Sequence, residues 1–381
     1  MAPRLKLWWR GAFGAALLAL VGCTMSSSAE LPATVGLGDA DVAVYITKFT
    51  NEGTDGGRVV LYDRAGPVSM VTNTGIMHPG LIWDDAGLFF VDQKTDFEVS
   101  DRVERNVRSR AADVLVGMHA GADGRRVVLF NDGVFGGHDH TGIGAYSGVH
   151  ELSQTTFLDG TAESFAACGG KNLAAGRTMR PRGSSELVDL TAAGGPVRVG
   201  SLVAGDFLAG ASTPCLGERV GGLWRPNNDE ISSYPLEIWQ WSAVDGSVKR
   251  IKLVTATGDF IASDKSTDSS SMLPRWVDGE SLFWIDSLGV AWRSNLKTGL
   301  TVKLRDGLPV VDTPTDGWVK SGDWVIQFEY SPDHSSAHLL VYSAKDLSLV
   351  ETRELPRLAE LSPGDQMVLA VAVRPGFTPG K

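Results

Sequence analysis

Short runs of β-branched and aromatic residues, separated by Gly, Asp, Asn and Pro, make up the chain from Asp41 onward. Apolar residues at helical spacing are almost absent from this region, so the pattern predicts an all-β domain. A repeat of fixed length distinguishes a β-propeller from a β-sandwich, because each propeller blade is one copy of the same unit. The spacing of the strands therefore distinguishes the two architectures.

The strands do repeat. Residues 81–92 and 274–286 share the same order of features: a Trp, an acidic turn, and an apolar aromatic strand that ends in Asp. Weaker copies occur at 122–131 and 320–328. Related hairpins are centred near Tyr62, Tyr146, Leu187, Trp239, Trp292 and Tyr342.

The spacing of these hairpins predicts the number of blades. The last five centres are 41, 52, 53 and 50 residues apart, and the first gap of 84 residues leaves room for a degenerate copy near Glu104. We therefore predict a single seven-bladed β-propeller over residues 41–381, with about 49 residues in each blade. A ring of six or eight blades and a pair of sandwiches remain as alternatives.

The blade sequence resembles the repeats of TolB-type and related bacterial propellers, in which a Trp and an Asp-Gly turn open a strand and a Thr-Gly hairpin follows. The match is good at 274–304 and fair at 81–92. The resemblance implies the architecture and an assembly role, and it carries over no catalytic residue. Residues 42–49 and 58–63 predict middle strands of the first blade, so we expect 366–373 to supply its innermost strand and close the ring.

The N-terminus predicts an export signal. Arg4, Lys6 and Arg10 precede an uninterrupted run of small and apolar residues at 11–22. A helix of twelve residues rises about 18 Å, which is too short for a hydrocarbon core of roughly 30 Å. The segment is therefore typical of a secretory signal and not of a permanent membrane span.

The sequence Leu20-Val21-Gly22-Cys23 resembles the lipobox of bacterial lipoproteins. That resemblance implies cleavage between Gly22 and Cys23, a diacylglyceryl group on the Cys23 thiol, and an extracytoplasmic domain anchored to the cell membrane. The alternative is an ordinary secretory signal that contains a cysteine. Residues 23–40 are rich in Ser, Gly, Ala and Thr, which predicts a flexible tether after the lipidated cysteine.

Charge argues against nucleic acid as a partner. Removing residues 1–22 removes three basic residues and no acidic residue, so the formal net charge falls from −10 to −13. An acidic domain is repelled by an anionic membrane surface, which suits attachment through a lipid. The hydrophobic content of 43% is sufficient for a buried core.

Two cysteines remain after lipidation of Cys23, namely Cys168 and Cys215. An even number of cysteines in an oxidising compartment predicts a disulfide, and the blade spacing places these two at equivalent inner turns of blades four and five. Two buried free thiols are the alternative.

Strong catalytic signatures are missing from the sequence: it contains no G-x-S-x-G, Walker or H-E-x-x-H motif. The best cluster is His138-Asp139-His140 in a glycine-rich loop, and its imidazoles and carboxylate are suitable ligands for zinc or another divalent ion. A solvated polar turn is the alternative interpretation, and no other cofactor is identifiable.

Several long polar loops are predicted on the same rim of the ring as this cluster. Their candidate ligand-binding residues are Arg177, Arg180, Arg225, Asp229, Glu230, Tyr234 and His334. Long loops that share a rim favour recognition, so we expect an envelope-anchored binding or scaffold module whose partner is an envelope protein or a glycan. A metal-dependent envelope enzyme at the channel mouth is the alternative.

The tryptophans at repeat positions are predicted to form the core between blades and not a sugar-binding platform. They are Trp83, Trp239, Trp276, Trp284 and Trp292.

Overall fold

The computed structural model is almost entirely β-structure. It describes residues 31–48, 56–122, 124–135, 138–157, 160–178, 184–191, 196–202, 206–208, 214–225, 233–264, 275–286, 288–309, 318–330, 336–362 and 366–380. No helix within these ranges is long and apolar enough to cross a membrane.

The strands of the first half are short, as expected for propeller blades. In chain order they are β1 (Val42–Lys48), β2 (Gly57–Asp63), β3 (Gly66–Asn73), β4 (Ile82–Asp84), β5 (Gly87–Val91), β6 (Thr95–Val99), β7 (Val103–Val107), β8 (Val114–Ala120), β9 (Arg126–Phe135), β10 (His138–Ser147), β11 (His150–Phe157), β12 (Gly160–Cys168), β13 (Lys171–Thr178), β14 (Ser184–Asp189) and β15 (Val197–Leu202).

The second half continues in the same way and includes one short helical segment before the last strand. Its elements are β16 (Asp206–Leu208), β17 (Cys215–Leu216), β18 (Arg219–Arg225), β19 (Ser233–Pro235), β20 (Glu237–Ser242), β21 (Val248–Lys252), β22 (Ala262–Asp264), β23 (Arg275–Asp278), β24 (Ser281–Ile285), β25 (Ala291–Asn295), β26 (Thr301–Arg305), β27 (Trp318–Ser321), β28 (Trp324–Tyr330), β29 (Ala337–Ser343), β30 (Leu349–Glu354), α1 (Leu358–Leu361) and β31 (Gln366–Val373).

These strands form seven small antiparallel sheets, so the predicted seven-bladed propeller is confirmed. Blade 1 is β31-β1-β2-β3, blade 2 is β4 to β7, blade 3 is β8 to β11, blade 4 is β12 to β15, blade 6 is β23 to β26 and blade 7 is β27 to β30. In blade 5 both β16 and β17 pair with β18, which is followed by β20 and β21. β19 and β22 form a separate two-stranded ribbon.

The predicted closure of the ring is also confirmed. Strand β31 pairs antiparallel with β1, with Val371 opposite Val44 and Val373 opposite Val42. The C-terminal strand thus completes the first blade as its innermost strand. This pairing gives blade 1 its fourth strand and covers the inner edge of β1.

The predicted hairpin centres lie on the third strand of their blades, except in blade 2. Glu104 lies on β7, the fourth strand, whereas the third strand is β6, centred on Phe97. Blade 2 departs from the spacing because no strand in it exceeds five residues and the β5–β6 connection is only three residues long. Its third strand therefore comes earlier than the average period predicts.

The hydrophobic core lies between neighbouring sheets. Tyr45 of blade 1 meets Phe90 of blade 2 edge to face, with ring centroids 5.9 Å apart. Neighbouring blades bury their apolar faces against each other, and the described core residues form separate clusters between successive blades from 1 to 7. Of the tryptophans predicted as core, Trp239, Trp276 and Trp284 are buried, whereas Trp83 and Trp292 are partly exposed.

Residues 32–40 fall within the segment predicted as a flexible tether, but in the structure they pack against the propeller. The N–H of Thr34 donates to the carbonyl of Met70 (2.9 Å), and the N–H of Met70 donates to the carbonyl of Pro32 (3.1 Å). The outer strand β3 has an otherwise unpaired edge, whose backbone groups attract this pairing. Farther on, the N–H of Leu37 donates to the carbonyl of Ser100 in blade 2 (2.8 Å).

The predicted disulfide between Cys168 and Cys215 is present. Cys168 is the last residue of β12, and Cys215 lies on β17, which occupies the equivalent position before the next tight turn. The bridge joins blades 4 and 5, as the blade spacing predicts. Two free thiols, the alternative interpretation, are not what the structure shows.

Replacing both cysteines with alanine (C168A/C215A) is expected to lower the free energy of unfolding by about 2–4 kcal/mol, because a cross-link spanning 47 residues restricts the unfolded chain. Urea unfolding of the two proteins, without reductant, measures the difference. A free-thiol count of two on the unfolded, unreduced wild type, outside Cys23, would contradict the disulfide.

Candidate functional site

The two ends of the ring differ in the length of their connections. At one end, called here the short-turn end, lie the turns between first and second strands and between third and fourth strands; β2–β3, β12–β13 and β23–β24 are joined there by two residues each. At the other, the loop end, eight residues join β1 to β2 and six join β28 to β29. The loop end also carries the connections from one blade to the next.

Side-chain caps stabilise the short-turn end. At the end of the third strand in five blades, an Asp, Asn or Ser oxygen accepts the backbone N–H of the residue two positions later, which holds the turn. The capping residues are Asp63, Asp189, Ser242, Asn295 and Ser343. This recurring polar position is a repeat signal that the sequence analysis did not use.

The predicted metal ligands lie at the loop end of blade 3. His138, Asp139 and His140 are the first residues of β10, with their backbone opposite Phe135, Val134 and Gly133 of β9. They therefore belong to a hairpin strand, whereas the sequence predicted an extended loop. Their side chains lie outside the described part of the structure, so the metal site stays a prediction. Among the side chains that are described, no three His, Cys, Asp or Glu residues cluster as metal ligands.

Three of the predicted ligand-binding residues lie on strands at the loop end. Arg177 is on β13, Arg225 ends β18 and Tyr234 is on β19, while their side chains lie outside the described residues. The remaining four lie outside the described ranges altogether: Arg180, Asp229, Glu230 and His334. Their role in binding stays a prediction.

A polar pocket of about 510 Å³ opens at the short-turn end, between blades 1 and 2. We call it the blade 2 pocket. Turns of blade 2, the segment before β1 and the residues after β31 form its walls. Its lining residues are Leu37, Gly38, Trp83, Asp84, Asp85, Ala86, Gly87, Ser100, Asp101, Arg374 and Pro375.

The turn between β4 and β5 forms one wall of the blade 2 pocket. Asp84 Oδ1 accepts the N–H groups of Ala86 (3.0 Å) and Gly87 (3.2 Å), which fixes the turn. Gly87 has a φ of +146°, and a Cβ there would lie 2.5 Å from the carbonyl oxygen of Val99. Glycine is therefore required for the two turns of blade 2 to approach each other.

The guanidinium of Arg126, in blade 3, binds the carboxylate of Asp84 in blade 2. Its Nε donates to Asp84 Oδ2 (2.8 Å), its Nη2 to Asp84 Oδ1 (2.7 Å), and its Nη1 to Glu98 Oε1 (2.9 Å). The Arg126 side chain is only 3% exposed and lies over the Phe89 ring. Burial lowers the pKa of Arg126, but the bonds to Asp84 and Glu98 outweigh burial and raise it. The guanidinium therefore stays charged and clamps blade 3 to blade 2.

The opposite wall of the blade 2 pocket is formed by residues just before β1 and just after β31. Arg374, directly after β31, donates through Nη1 to the carbonyl of Gly38 (2.9 Å). Gly36 passes close to blade 2, since a Cβ there would lie 2.6 Å from the carbonyl oxygen of Asp101. Leu37 is buried against the core formed by blades 1 and 2. The wall is consequently held by hydrogen bonds and packing on both sides.

The carboxylates of Asp85 and Asp101 are exposed and accept no hydrogen bond from the described residues. The Trp83 side chain is half-buried at the edge of the core. The pocket thus offers two open acceptors, a guanidinium and an aromatic surface. Sequence analysis identified Trp83 and the acidic turn as repeat features but missed the pocket, because Arg126 and Arg374 are distant in sequence.

His119 is a buried titratable group between blades 3 and 4. Its ring stacks on Phe165 with centroids 4.5 Å apart, and burial lowers its pKa to about 3. The imidazole is therefore neutral at neutral pH. Its Nε2 atom has no hydrogen-bond partner among the described residues, and a Cβ on Gly117 would lie 2.8 Å from it. Its stacked position gives it a packing role.

Comparison with known proteins shows the fold and nothing finer. The sequence matches no family model and no curated protein. A mutant of the apocarotenoid oxygenase ACO from Synechocystis is similar with a TM-score of 0.51 and 11% identity, over 91% of this chain and 95% of that chain. Cobalt-substituted Synechocystis ACO gives 0.51 and 11%, over 88% and 93%. A 6-phosphogluconolactonase-like protein from Bacteroides fragilis gives 0.49 and 8%, over 88% and 98%.

Replacing Arg126 with methionine is expected to lower the free energy of unfolding by about 3 kcal/mol, because two carboxylates lose the cation that compensates them. Urea unfolding measures the change. The matched control is R125M at the exposed neighbouring position, where we expect less than about 1 kcal/mol. Equal destabilisation of the two variants would show that the clamp does not stabilise the blade 2–blade 3 contact.

Proposed function

We propose that this protein is a lipid-anchored, extracytoplasmic binding module that contacts its partner through the loop end of the propeller. The observation that carries the proposal is the asymmetry of the ring. At one end the connections have two to seven residues and several are capped, whereas the other end carries most of the longer connections, with short exceptions in blades 2 and 3. Loops on a rigid scaffold are where binding residues concentrate, because they vary without disturbing the core.

The anchor is part of the proposal and is supported by the N-terminal sequence. The apolar segment 11–22 runs directly into Cys23 in a lipobox-like context. Eight residues separate Cys23 from Pro32, where the chain pairs with blade 1. Such a segment spans at most about 30 Å, so an anchored propeller stays close to the membrane surface. The partner is accordingly an envelope protein or a glycan, and the TolB-like repeats favour an assembly role.

A binding role is favoured over catalysis because the sequence contains none of the catalytic motifs sought and because enzymes among the similar structures share only the fold. The alternative, a metal-dependent enzyme that uses His138, Asp139 and His140, stays a prediction. Its ligands would lie at the same loop end as the proposed partner site. Both proposals therefore concern one end of the ring.

Replacing Cys23 with alanine is expected to release the protein from the membrane fraction, because the thiol that would receive the lipid is gone and an acidic domain has little affinity for anionic lipids. Fractionation of cells that express the wild type or C23A measures this. The S27A variant, which retains Cys23 and the disulfide, is the control and should stay in the membrane fraction. Continued membrane retention of C23A would contradict the anchor.

Charge removal at the loop end is expected to reduce partner binding. In-cell crosslinking followed by recovery of the lipoprotein should yield one dominant partner, and D229A/E230A should lower its yield several-fold, since charges at an interface rim govern association. The matched control is D278A/E280A at the short-turn end of blade 6, where both residues are exposed. The proposal fails if no partner dominates, or if the control variant loses the partner while D229A/E230A keeps it.

A further inference from the structure

We propose that the blade 2 pocket is a second binding site, separate from the loop end, and that its ligand is a neutral saccharide. The pocket is built entirely from residues at the short-turn end and beside the two ends of the propeller sequence. The proposal therefore depends neither on the partner at the loop end nor on the membrane anchor.

The pocket has the size and rigidity of a small-molecule site. Its volume of about 510 Å³ lies within the usual range of roughly 300–1,000 Å³. Asp84 fixes one turn through two backbone N–H groups and is itself held by the buried Arg126. Leu37 and Arg374 fix the other wall. A site whose walls are already ordered loses little conformational entropy when a ligand enters.

The open polar groups of the pocket match hydroxyl groups. The carboxylate oxygens of Asp85 and Asp101 are hydrogen-bond acceptors, and no described residue donates to them. Arg374, which lines the pocket, donates through Nη1 to the carbonyls of Gly38 and Ala40, and the other N–H groups of its guanidinium have no acceptor among the described residues. Each sugar hydroxyl both donates and accepts, so one ligand can satisfy the carboxylates and the guanidinium together.

Trp83 is the aromatic residue among those that line the pocket. Its side chain packs against the blade 1–blade 2 core yet remains partly exposed at the pocket. The exposure of Trp83 departs from the sequence prediction of core alone, and it distinguishes this tryptophan from the buried Trp239.

The balance of charge favours a neutral ligand. The charge of Asp84 is compensated by Arg126, and the rest of the pocket lining holds two aspartates and one arginine. An anion would be repelled by the open carboxylates, and a cation would lie beside the guanidinium. A polyhydroxylated neutral molecule avoids both penalties and still uses every open polar group.

The test is titration calorimetry of the full-length protein in detergent against a panel of neutral probes: glucose, galactose, mannose, N-acetylglucosamine and their disaccharides. Choline and inorganic phosphate serve as the cationic and anionic probes. We expect at least one saccharide to bind in the micromolar to millimolar range. D85N and D101N should each weaken that binding roughly fivefold to tenfold, because an amide is a poorer acceptor than a carboxylate.

The matched control is D113N, an exposed aspartate outside the pocket, which should bind as the wild type does. Asp85 and Asp101 are exposed and have no partner among the described residues, so we expect their variants to keep the thermal midpoint of the wild type. Failure of every saccharide to bind would overturn the proposal. Unchanged saccharide affinity in both pocket variants, or binding of choline or phosphate in place of saccharides, would also overturn it. None of these outcomes bears on the crosslinking result at the loop end.

Discussion

The pairing of β31 with β1 is the contact on which the rest of this structure depends. A four-stranded blade cannot bury both of its apolar faces alone, and a row of blades would leave the first and last faces in water. By completing blade 1 with a strand from the other end of the sequence, the chain turns a row into a ring in which every face has a neighbour. The blade 2 pocket follows from this closure, because Arg374 is the next residue after β31.

Charged clamps reinforce the contacts between blades where the apolar faces end. Arg126 joins blade 3 to two carboxylates of blade 2, and Arg353 of blade 7 donates to Asp41 Oδ2 (2.8 Å) directly before blade 1. Arginine suits both places, because its planar group can bond to several acceptors while its stem packs on neighbouring side chains. Such clamps contribute specificity of blade order as well as stability.

Features that depend on periodicity were predictable from the sequence. The number of blades, the closing strand and the Cys168–Cys215 bridge all follow from spacing, because equivalent positions of a repeat occupy corresponding places in successive blades. Predictions that assumed average spacing or composition were less accurate: blade 2 is shorter than the period, so Glu104 was misplaced, and residues 32–40 pack despite their small, polar composition. The Arg126–Asp84 clamp was not predictable, since it joins residues 42 positions apart that no motif connects. The loop-end residues, His138 to His140 included, stay sequence predictions.

Closure by the last strand also imposes an order of events on folding. Strand β1 begins at Val42, near the start of the propeller sequence, but its inner partner is formed by residues 366–373, near the other end. The two strands can pair only after residues 366–373 are available. Until then the inner edge of blade 1 is an open template for other strands. A contact of such long sequence separation forms slowly, whereas the blade 4–blade 5 disulfide spans 47 residues and requires only neighbouring units. If the chain is exported as the N-terminal signal predicts, it completes its ring only after the whole length has crossed the membrane, with its blade 1 edge unprotected until that moment.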